Sequence, residues 1–278
     1  MAAPTTTTPT ARPESADDRA NQLLPAVLRS EWTKMRSVPS TMWALLAAVG
    51  ITVGFGCLFC LAYTARYERL ALRERLTADP TLLSLRGLFL SSLAIGVLGV
   101  LIMTAEYATG SIRSTLTAVP QRGTVLAAKA IVFGSVALVV SFASVFVAFS
   151  AGQAILHRKH LGVSLSDPTV LRAVLGAGAY LTIIGLLGLA WGTILRRTAG
   201  AIATLVGLVF IADLLVQALP DPWNTDIGKF LPGNAGIALF SVRANADRLT
   251  PGSALVVLLL WLVGSLAVAA YALTHRDA

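Results

Sequence analysis

Six long apolar runs constrain this chain more than any other feature of its sequence. A bilayer core about 30 Å thick is crossed by a helix of roughly 20 apolar residues. Six stretches of about this length hold at most one charged residue each, at positions 42–63, 88–105, 130–155, 173–195, 199–219 and 254–273. They are apolar on every face and much longer than the strands of a membrane barrel. The runs therefore predict an all-α polytopic membrane protein with six transmembrane helices.

Composition and charge exclude a water-soluble domain and favour contact with lipids. Hydrophobic residues make up 55% of the chain and charged residues 13%, with a mean hydropathy of +0.73, far above that of soluble domains. The net charge of +8 comes from cations in short pieces between the apolar runs. This pattern fits anionic lipid headgroups better than nucleic acid. We therefore expect membrane lipids, and no nucleic acid, among the partners.

The region before the first run divides into two parts. Residues 1–20 are rich in Pro, Thr and Ala, so we expect a disordered tail. Residues 21–40 predict an amphipathic interfacial helix that leads into a membrane domain at 41–278, with Pro25 in its first turn and Pro39 at its end. The apolar positions of this elbow helix recur at helical spacing: Leu24, Leu28, Trp32 and Met35. A basic stretch that merely precedes the first span is the alternative.

The chain lacks the motifs of an enzyme. A P-loop needs upstream glycines and a Gly-Lys-Ser/Thr ending, whereas the single Gly-Lys pair, Gly228 and Lys229, is followed by Phe230. The three histidines, at 157, 160 and 275, lie outside the apolar runs, where they form no catalytic or metal-binding constellation on the spans. We therefore expect no catalytic residue, bound metal or cofactor on this chain, and no ATP hydrolysis by it alone.

The second connection, at 106–124, is the most informative piece of the sequence. Its pattern predicts a short helix in which Gly110 frees the preceding turn, Ser111 caps the first amides and Pro120 stops the helix. One face would be apolar and suited to a groove in a soluble partner, with Ile112, Leu116 and Val119 along it. An ordinary loop lying on lipid is the alternative.

Two segments resemble a known transporter family. The stretch 106–129, EYATGSIRSTLTAVPQRGTVLAAK, is similar to the region between the second and third spans of type-2 ATP-binding-cassette (ABC) permeases. The stretch 30–37, SEWTKMRS, resembles the approach to the first span in their actinobacterial members. In that family two six-span subunits pair, each receives a separate ATPase subunit, and the short inner helix transmits ATPase closure to the spans.

The resemblance implies roles for particular positions of this chain. ATPase coupling falls on 110–119, with these residues singled out: Glu106, Gly110, Ser111, Ile112, Arg113, Leu116 and Val119. The elbow role falls on 23–38. ATP and Mg²⁺ would be bound by the partner ATPase, and the chain would pair with an identical or a different permease subunit. The implied location is the bacterial plasma membrane.

Charge around the short connections bears on orientation. Lys and Arg are equally numerous on the two sides of the predicted topology, so the positive-inside rule gives no answer from the totals. Arg196 and Arg197 occupy a very short fourth connection without an acidic neighbour. Basic residues also flank the start of the first span: Arg29, Lys34 and Arg36. These local groups favour cytoplasmic amino and carboxyl termini.

The last outer loop and one buried charge are further candidate sites. Loop 220–251 includes Phe230, Leu231, Pro232 and Gly233, which would dip back into the bundle and form an outer gate, as short re-entrant helices do in the family. Loop packing unrelated to transport is the alternative.

Asp213 is the single charge within a run, so it needs a partner or water and is a candidate intramembrane polar site.

Glycines spaced four residues apart predict close helix packing. The pairs lie at 50 and 54 and at 188 and 192.

Taken together, the features of the sequence predict the transmembrane subunit of an ATP-driven ABC exporter for a lipophilic or amphipathic cargo such as an antibiotic, another drug or a lipid. An ion-gradient-driven secondary carrier or channel is the rival, and a non-transporting anchor or sensor is a third hypothesis.

Overall fold

The fold is built from helices joined by short connections. The computed structural model describes residues 16–119, 121–220, 222–243 and 247–275, with side chains from Leu24 onward. Within these ranges there is no strand. The helices, in chain order, are α1 (Ala16–Ser37), α2 (Pro39–Arg66), α3 (Leu72–Thr77), α4 (Pro80–Ser84), α5 (Leu88–Thr109), α6 (Ser111–Ala118), α7 (Arg122–Leu156), α8 (Pro168–Leu195), α9 (Thr198–Val206), α10 (Ala212–Gln217), α11 (Trp223–Gly228), α12 (Pro232–Phe240) and α13 (Pro251–His275).

Six helical segments are long and apolar enough to cross a membrane. They are α2, α5, α7, α8, the pair α9 and α10, and α13. A π-helical turn, Gly207–Ile211, joins α9 to α10 so that they form one span. The prediction of an all-α polytopic membrane protein with six spans is confirmed.

Polar residues set where the spans begin, which a count of apolar residues misses. Helix α8 begins at Pro168, ahead of the apolar run at 173–195, because the Asp167 carboxylate accepts the backbone N–H of Thr169 at 2.8 Å and proline suits a first helical position. Hydrogen bonds from the hydroxyl and backbone of Thr169 lower the pKa of Asp167. Pro39 likewise starts α2.

Helix α1 is longer than the sequence predicts. It begins at Ala16, inside the stretch 1–20 expected to be disordered, because Ala, Gln, Leu and Arg in this region are good helix formers. Pro25 consequently lies in the helix interior instead of in its first turn. Residues 1–15 of the expected tail lie outside the described residues.

Helix α8 occupies the centre of the bundle. Its apolar window is 83% buried, against 56% for α5 and 22–33% for the other spans. A Cβ atom at Gly188 would collide with the backbone carbonyl of Gly96 on α5, and one at Gly192 would lie 2.9 Å from that of Val100. The prediction of close packing is confirmed at this pair, whereas Gly50 and Gly54 face open space.

The ends of the helices form two layers. Arg122 at the start of α7 and Arg196 at the end of α8 donate to backbone carbonyls near the end of α13, those of Leu273 at 2.9 Å and Ala272 at 3.2 Å. These ends lie with α1 and α6, and we call this layer the α6 side. The opposite layer, the α12 side, holds α3, α4, α11 and α12. The described ends of α1 and α13 thus lie on one side of the bundle.

Replacing Gly188 tests the central contact between α5 and α8. We expect Gly188→Leu to lower the unfolding free energy by roughly 1–3 kcal/mol, because overpacking forces the two helix backbones apart. The readout is the thermal unfolding midpoint of the purified protein in detergent. The matched control is Gly264→Leu on α13, where a Cβ atom meets nothing within 4 Å. Equal midpoints for the two variants would contradict the packing argument.

Candidate functional site

Helix α6 lies at the end of the second span and turns sharply away from it. Gly110 ends α5 and precedes α6 with φ of 70°, a left-handed conformation that glycine adopts without a Cβ clash. The expected cap by Ser111 is wrong, because no side chain caps α6. The Ser111 hydroxyl instead lies 3.0 Å from that of Thr109.

The amphipathic character expected for α6 is confirmed, but its apolar face covers this chain itself. Ile112 is 2% exposed, and Leu116 and Val119 are half-buried. Leu116 packs against the hydrophobic core of the bundle. The face left open to a partner is polar: Ser111, Arg113, Ser114 and Thr117 are exposed.

Four charged side chains meet directly beneath α6. The Lys129 ammonium of α7 contacts Glu31 Oε2 of α1 at 2.5 Å and Glu106 Oε1 of α5 at 2.8 Å. The Lys34 ammonium of α1 contacts Glu31 Oε1 at 2.8 Å and the same Glu106 oxygen at 3.0 Å. We call these four residues the ionic cluster. Two carboxylates and two ammonium groups leave it with no net charge.

Burial makes the balance of charge in the ionic cluster essential. The Lys129 side chain is 3% exposed and that of Glu31 4%, and a charge this far from water is tolerated only when paired and hydrogen-bonded. Partial burial lowers the pKa of Lys34, but the hydrogen bonds and negative charges of Glu31 and Glu106 outweigh burial and raise it above its ordinary value. Lys34 therefore stays protonated at neutral pH.

The ionic cluster also reaches α6. Lys34 donates to the hydroxyl of Thr115 on α6 at 3.3 Å. Four helices are therefore joined by these contacts: α1, α5, α6 and α7. Sequence reasoning singled out Glu106 but missed Glu31, Lys34 and Lys129 as members of a site. The available signal was that all four lie in 30–37 and 106–129, the two segments that carry the family resemblance.

The elbow residues take up different positions on α1. Met35 is buried, Leu24 and Leu28 are half-buried, and Trp32 is 51% exposed. The fully buried stripe of this helix runs through Val27, Glu31 and Met35. The stripe is displaced from the expected apolar face because Glu31 turns inward to meet Lys129.

The loop before the last span enters the bundle and returns. The Phe230 carbonyl accepts the indole N–H of Trp261 at 2.9 Å, and Trp261 lies almost three turns along α13, about 15 Å from its start. Helix α12 then runs back, and Arg172 near the start of α8 donates to the carbonyls of Leu239 and Ser241 at 3.0 and 2.7 Å. Of the four expected gate residues, Pro232 and Gly233 are buried, Leu231 is half-buried and Phe230 is 49% exposed.

Asp213 lies at the inserted end of α12. Its carboxylate faces the backbone N–H of Asn234 at the first turn of α12. A Cβ atom at Gly233 would collide with Oδ2, whereas Oδ1 is buried without a hydrogen-bond partner among the described residues. The first amides of a helix have no partner within the helix and attract an anion. The single charge within the apolar runs therefore lies at the amino end of α12, where it is placed to accept a backbone amide.

The remaining question for the site is whether metal-binding side chains or known relatives point to a function. Within the described ranges, no three His, Cys, Asp or Glu side chains lie together as the ligands of a metal ion would. Comparison with protein-family models and with curated proteins finds no match for this chain. The resemblance to type-2 ABC permeases therefore stays a prediction that rests on the two motif segments.

Removing Lys129 tests the ionic cluster. We expect Lys129→Met to lower the unfolding free energy by about 3–5 kcal/mol, because the carboxylates of Glu31 and Glu106 then lose their buried partner. Thermal unfolding in detergent measures the loss. Adding Glu31→Gln to this variant removes one uncompensated charge, so part of the stability should return.

The control for the ionic cluster is an exposed pair on the α12 side. Lys159 contacts Glu68 at 2.7 Å in a solvated position, and exposed pairs contribute little to stability. Lys159→Met should leave the unfolding midpoint almost unchanged. A loss at Lys129 no larger than the loss at Lys159 would show that the cluster does not hold the four helices together.

Two substitutions of Asp213 separate a hydrogen-bond acceptor from a required charge. Asp213→Asn keeps an oxygen for the Asn234 N–H, whereas Asp213→Leu leaves that donor unpaired. We expect the Leu variant to be less stable than the Asn variant by roughly 1–2 kcal/mol, the usual contribution of a helix cap. Unfolding midpoints of the two proteins measure the difference. Equal midpoints would exclude the capping role.

Proposed function

We propose that this chain is the transmembrane subunit of an ATP-driven exporter of the type-2 ABC class. The six apolar helices make it a multi-pass membrane protein of transporter-like architecture. The proposal adds a separate ATPase subunit that binds ATP and Mg²⁺, while this chain supplies the pathway and performs no catalysis. Its support is the motif resemblance of 30–37 and 106–129 together with the position of α6.

The observation that carries the proposal is the connection of α6 to two spans. The helix follows directly on α5, and Lys34 joins Thr115 of α6 to Glu106 of α5. Lys129 extends the connection to α7. A partner that moves α6 therefore moves the ends of the second and third spans. Binding energy that favours one position of α6 shifts the equilibrium between two packings of the bundle.

A pathway between two bundles is more consistent with this fold than a pore within one. The centre of the bundle is taken by α8, which is packed on several sides by α5, α7, α12 and α13. We therefore propose that the chain pairs with a second permease, identical or related. Large apolar side chains on the outer faces of α2 and α13 are exposed, which suits a lipophilic or amphipathic cargo such as an antibiotic, another drug or a lipid.

Asp213 weakens the case for an ion-gradient-driven carrier. Such carriers use ionisable groups within their spans to bind the coupling ion. Asp213 is the one charge within the apolar runs, and its carboxylate lies at the amino end of α12. A single ionisable group is fewer than such carriers use. We accordingly favour an ATPase as the energy source.

The proposed location is the bacterial plasma membrane with the α6 side in the cytoplasm. Helix α1 and the described end of α13 lie on the α6 side, as does the short connection that contains Arg196 and Arg197. Cytoplasmic segments carry an excess of Lys and Arg. This orientation exposes Arg113 of α6 to a soluble ATPase.

Charge reversal at Arg113 tests the coupling role. Leu116 is unsuitable because it packs against this chain's own core, whereas Arg113 is exposed. The test uses candidate P-loop ATPase subunits that are co-expressed with this chain. We expect Arg113→Glu to weaken ATPase binding roughly tenfold and to lower the stimulation of ATP hydrolysis, because interface charges set electrostatic complementarity. Co-purification and ATPase assays of the reconstituted complex measure both.

The matched control is Arg158→Glu, an exposed arginine on the α12 side. It should leave binding and ATP hydrolysis unchanged. Orientation is checked with cysteines at 113 or 158, in a background with Cys57→Ala and Cys60→Ala, and an impermeant maleimide. Labelling of position 113 from outside the cell, or full ATPase stimulation by Arg113→Glu, would contradict the proposal.

A further inference from the structure

A groove opens between α1 and two spans on the outer surface of the bundle. Its walls come from α1, the first turns of α2 and the middle of α7, and its volume is about 450 Å³. Its lining includes Trp32, Arg36, Met42, Leu46, Val49 and Val136. Volumes of a few hundred Å³ are typical of small-molecule sites. The groove is thus large enough to hold part of a lipid.

The polarity of the groove changes from one end to the other. Arg36 and the half-exposed ring of Trp32 lie on α1 at its mouth, where α1 joins α2. Met42 and Val49 lie two turns apart along α2, so the apolar wall extends about 10 Å from the mouth into the first span. An indole and a guanidinium at one end of an apolar slot match the level of lipid headgroups and acyl chains.

Arg36 differs from the lysine two residues before it. The charge of Lys34 is neutralised by Glu31 and Glu106. Among the residues that the structure describes, Arg36 forms no ion pair with a carboxylate. A positive charge therefore remains at the mouth of an apolar groove. The complementary ligand has one negative headgroup and at least one long acyl chain.

We infer that this groove binds one anionic phospholipid of the adjacent leaflet, with its phosphate at Arg36 and an acyl chain along α2 and α7. The site rests on the membrane location and the contacts of α1. It does not depend on the proposed ATPase. A lipid held here lies against Met35, next to Glu31 of the ionic cluster on α1, and braces the helix against the first and third spans.

Native mass spectrometry of the purified chain tests this inference without any partner. The probes are phosphatidylglycerol and phosphatidylcholine, titrated separately into the delipidated protein in detergent. We expect one tight phosphatidylglycerol site. Arg36→Gln should reduce the preference for phosphatidylglycerol over phosphatidylcholine about fivefold, as expected for one cation at an anionic lipid surface. Arg29→Gln, an exposed arginine on the same helix that does not line the groove, should leave the preference unchanged.

A second pair of variants tests the apolar part of the groove. Val136→Phe on α7 places a larger side chain inside it, whereas Val139→Phe lies on an exposed face of the same helix, 65% open and outside the groove. We expect only Val136→Phe to abolish the tight site, with the unfolding midpoint of the delipidated protein confirming that both variants are folded. Equal effects of Arg36→Gln and Arg29→Gln, or of the two valine variants, would overturn the inference.

Discussion

Neutralisation of charge beneath α6 is the interaction on which this side of the bundle depends. The Lys129 side chain is almost completely buried, and an unpaired ammonium group is not tolerated there. Its partners come from two other helices, Glu31 from α1 and Glu106 from α5. Displacing α5 or α7 alone leaves a buried charge unpaired, whereas α1 carries its own Lys34–Glu31 pair and loses only its contacts with Lys129 and Glu106. The cluster therefore joins the second span to the third, adds the elbow through Glu31, and reaches α6 through Lys34.

On the α12 side, the groups that need partners within the bundle are backbone amides. A helix that ends within a bundle exposes backbone amides that need acceptors. At α12 the first position is Pro232, which has no N–H, and the amide of Asn234 faces the carboxylate of Asp213. One carboxylate thus allows a loop to enter the bundle and return. Charged groups on the α6 side therefore join spans to one another, whereas Asp213 on the α12 side lies at the start of a helix.

The sequence predicts the spans well because the length of an apolar run is a local property. It predicts their ends less well, since Asp167 and Pro168 extend α8 by capping and not by apolar character. The apolar spacing on α6 is also local, and it correctly identifies one face of the helix. Spacing does not show what covers that face, so the expected docking surface for a partner is instead packed against the core through Leu116.

The ionic cluster is beyond local patterns because its members are far apart along the chain. Glu31 and Lys129 are separated by 98 positions, and each alone reads as a solvated charge near the end of a helix. Burial of these groups follows from the packing of α1 on α7, which no spacing rule describes. The motif segments 30–37 and 106–129 contain all four residues. The resemblance of these segments to a known family therefore points to the cluster, whereas the apolar spacing along each helix does not.

The π-helical turn at Gly207–Ile211 sets the direction in which the rest of the fifth span faces. A π turn contains one more residue than an α turn, and each residue of a helix rotates its side chain by about 100°. Asp213 lies two residues beyond the end of this turn. Deleting a single residue from the turn would rotate the carboxylate by more than a quarter of a revolution, away from α12.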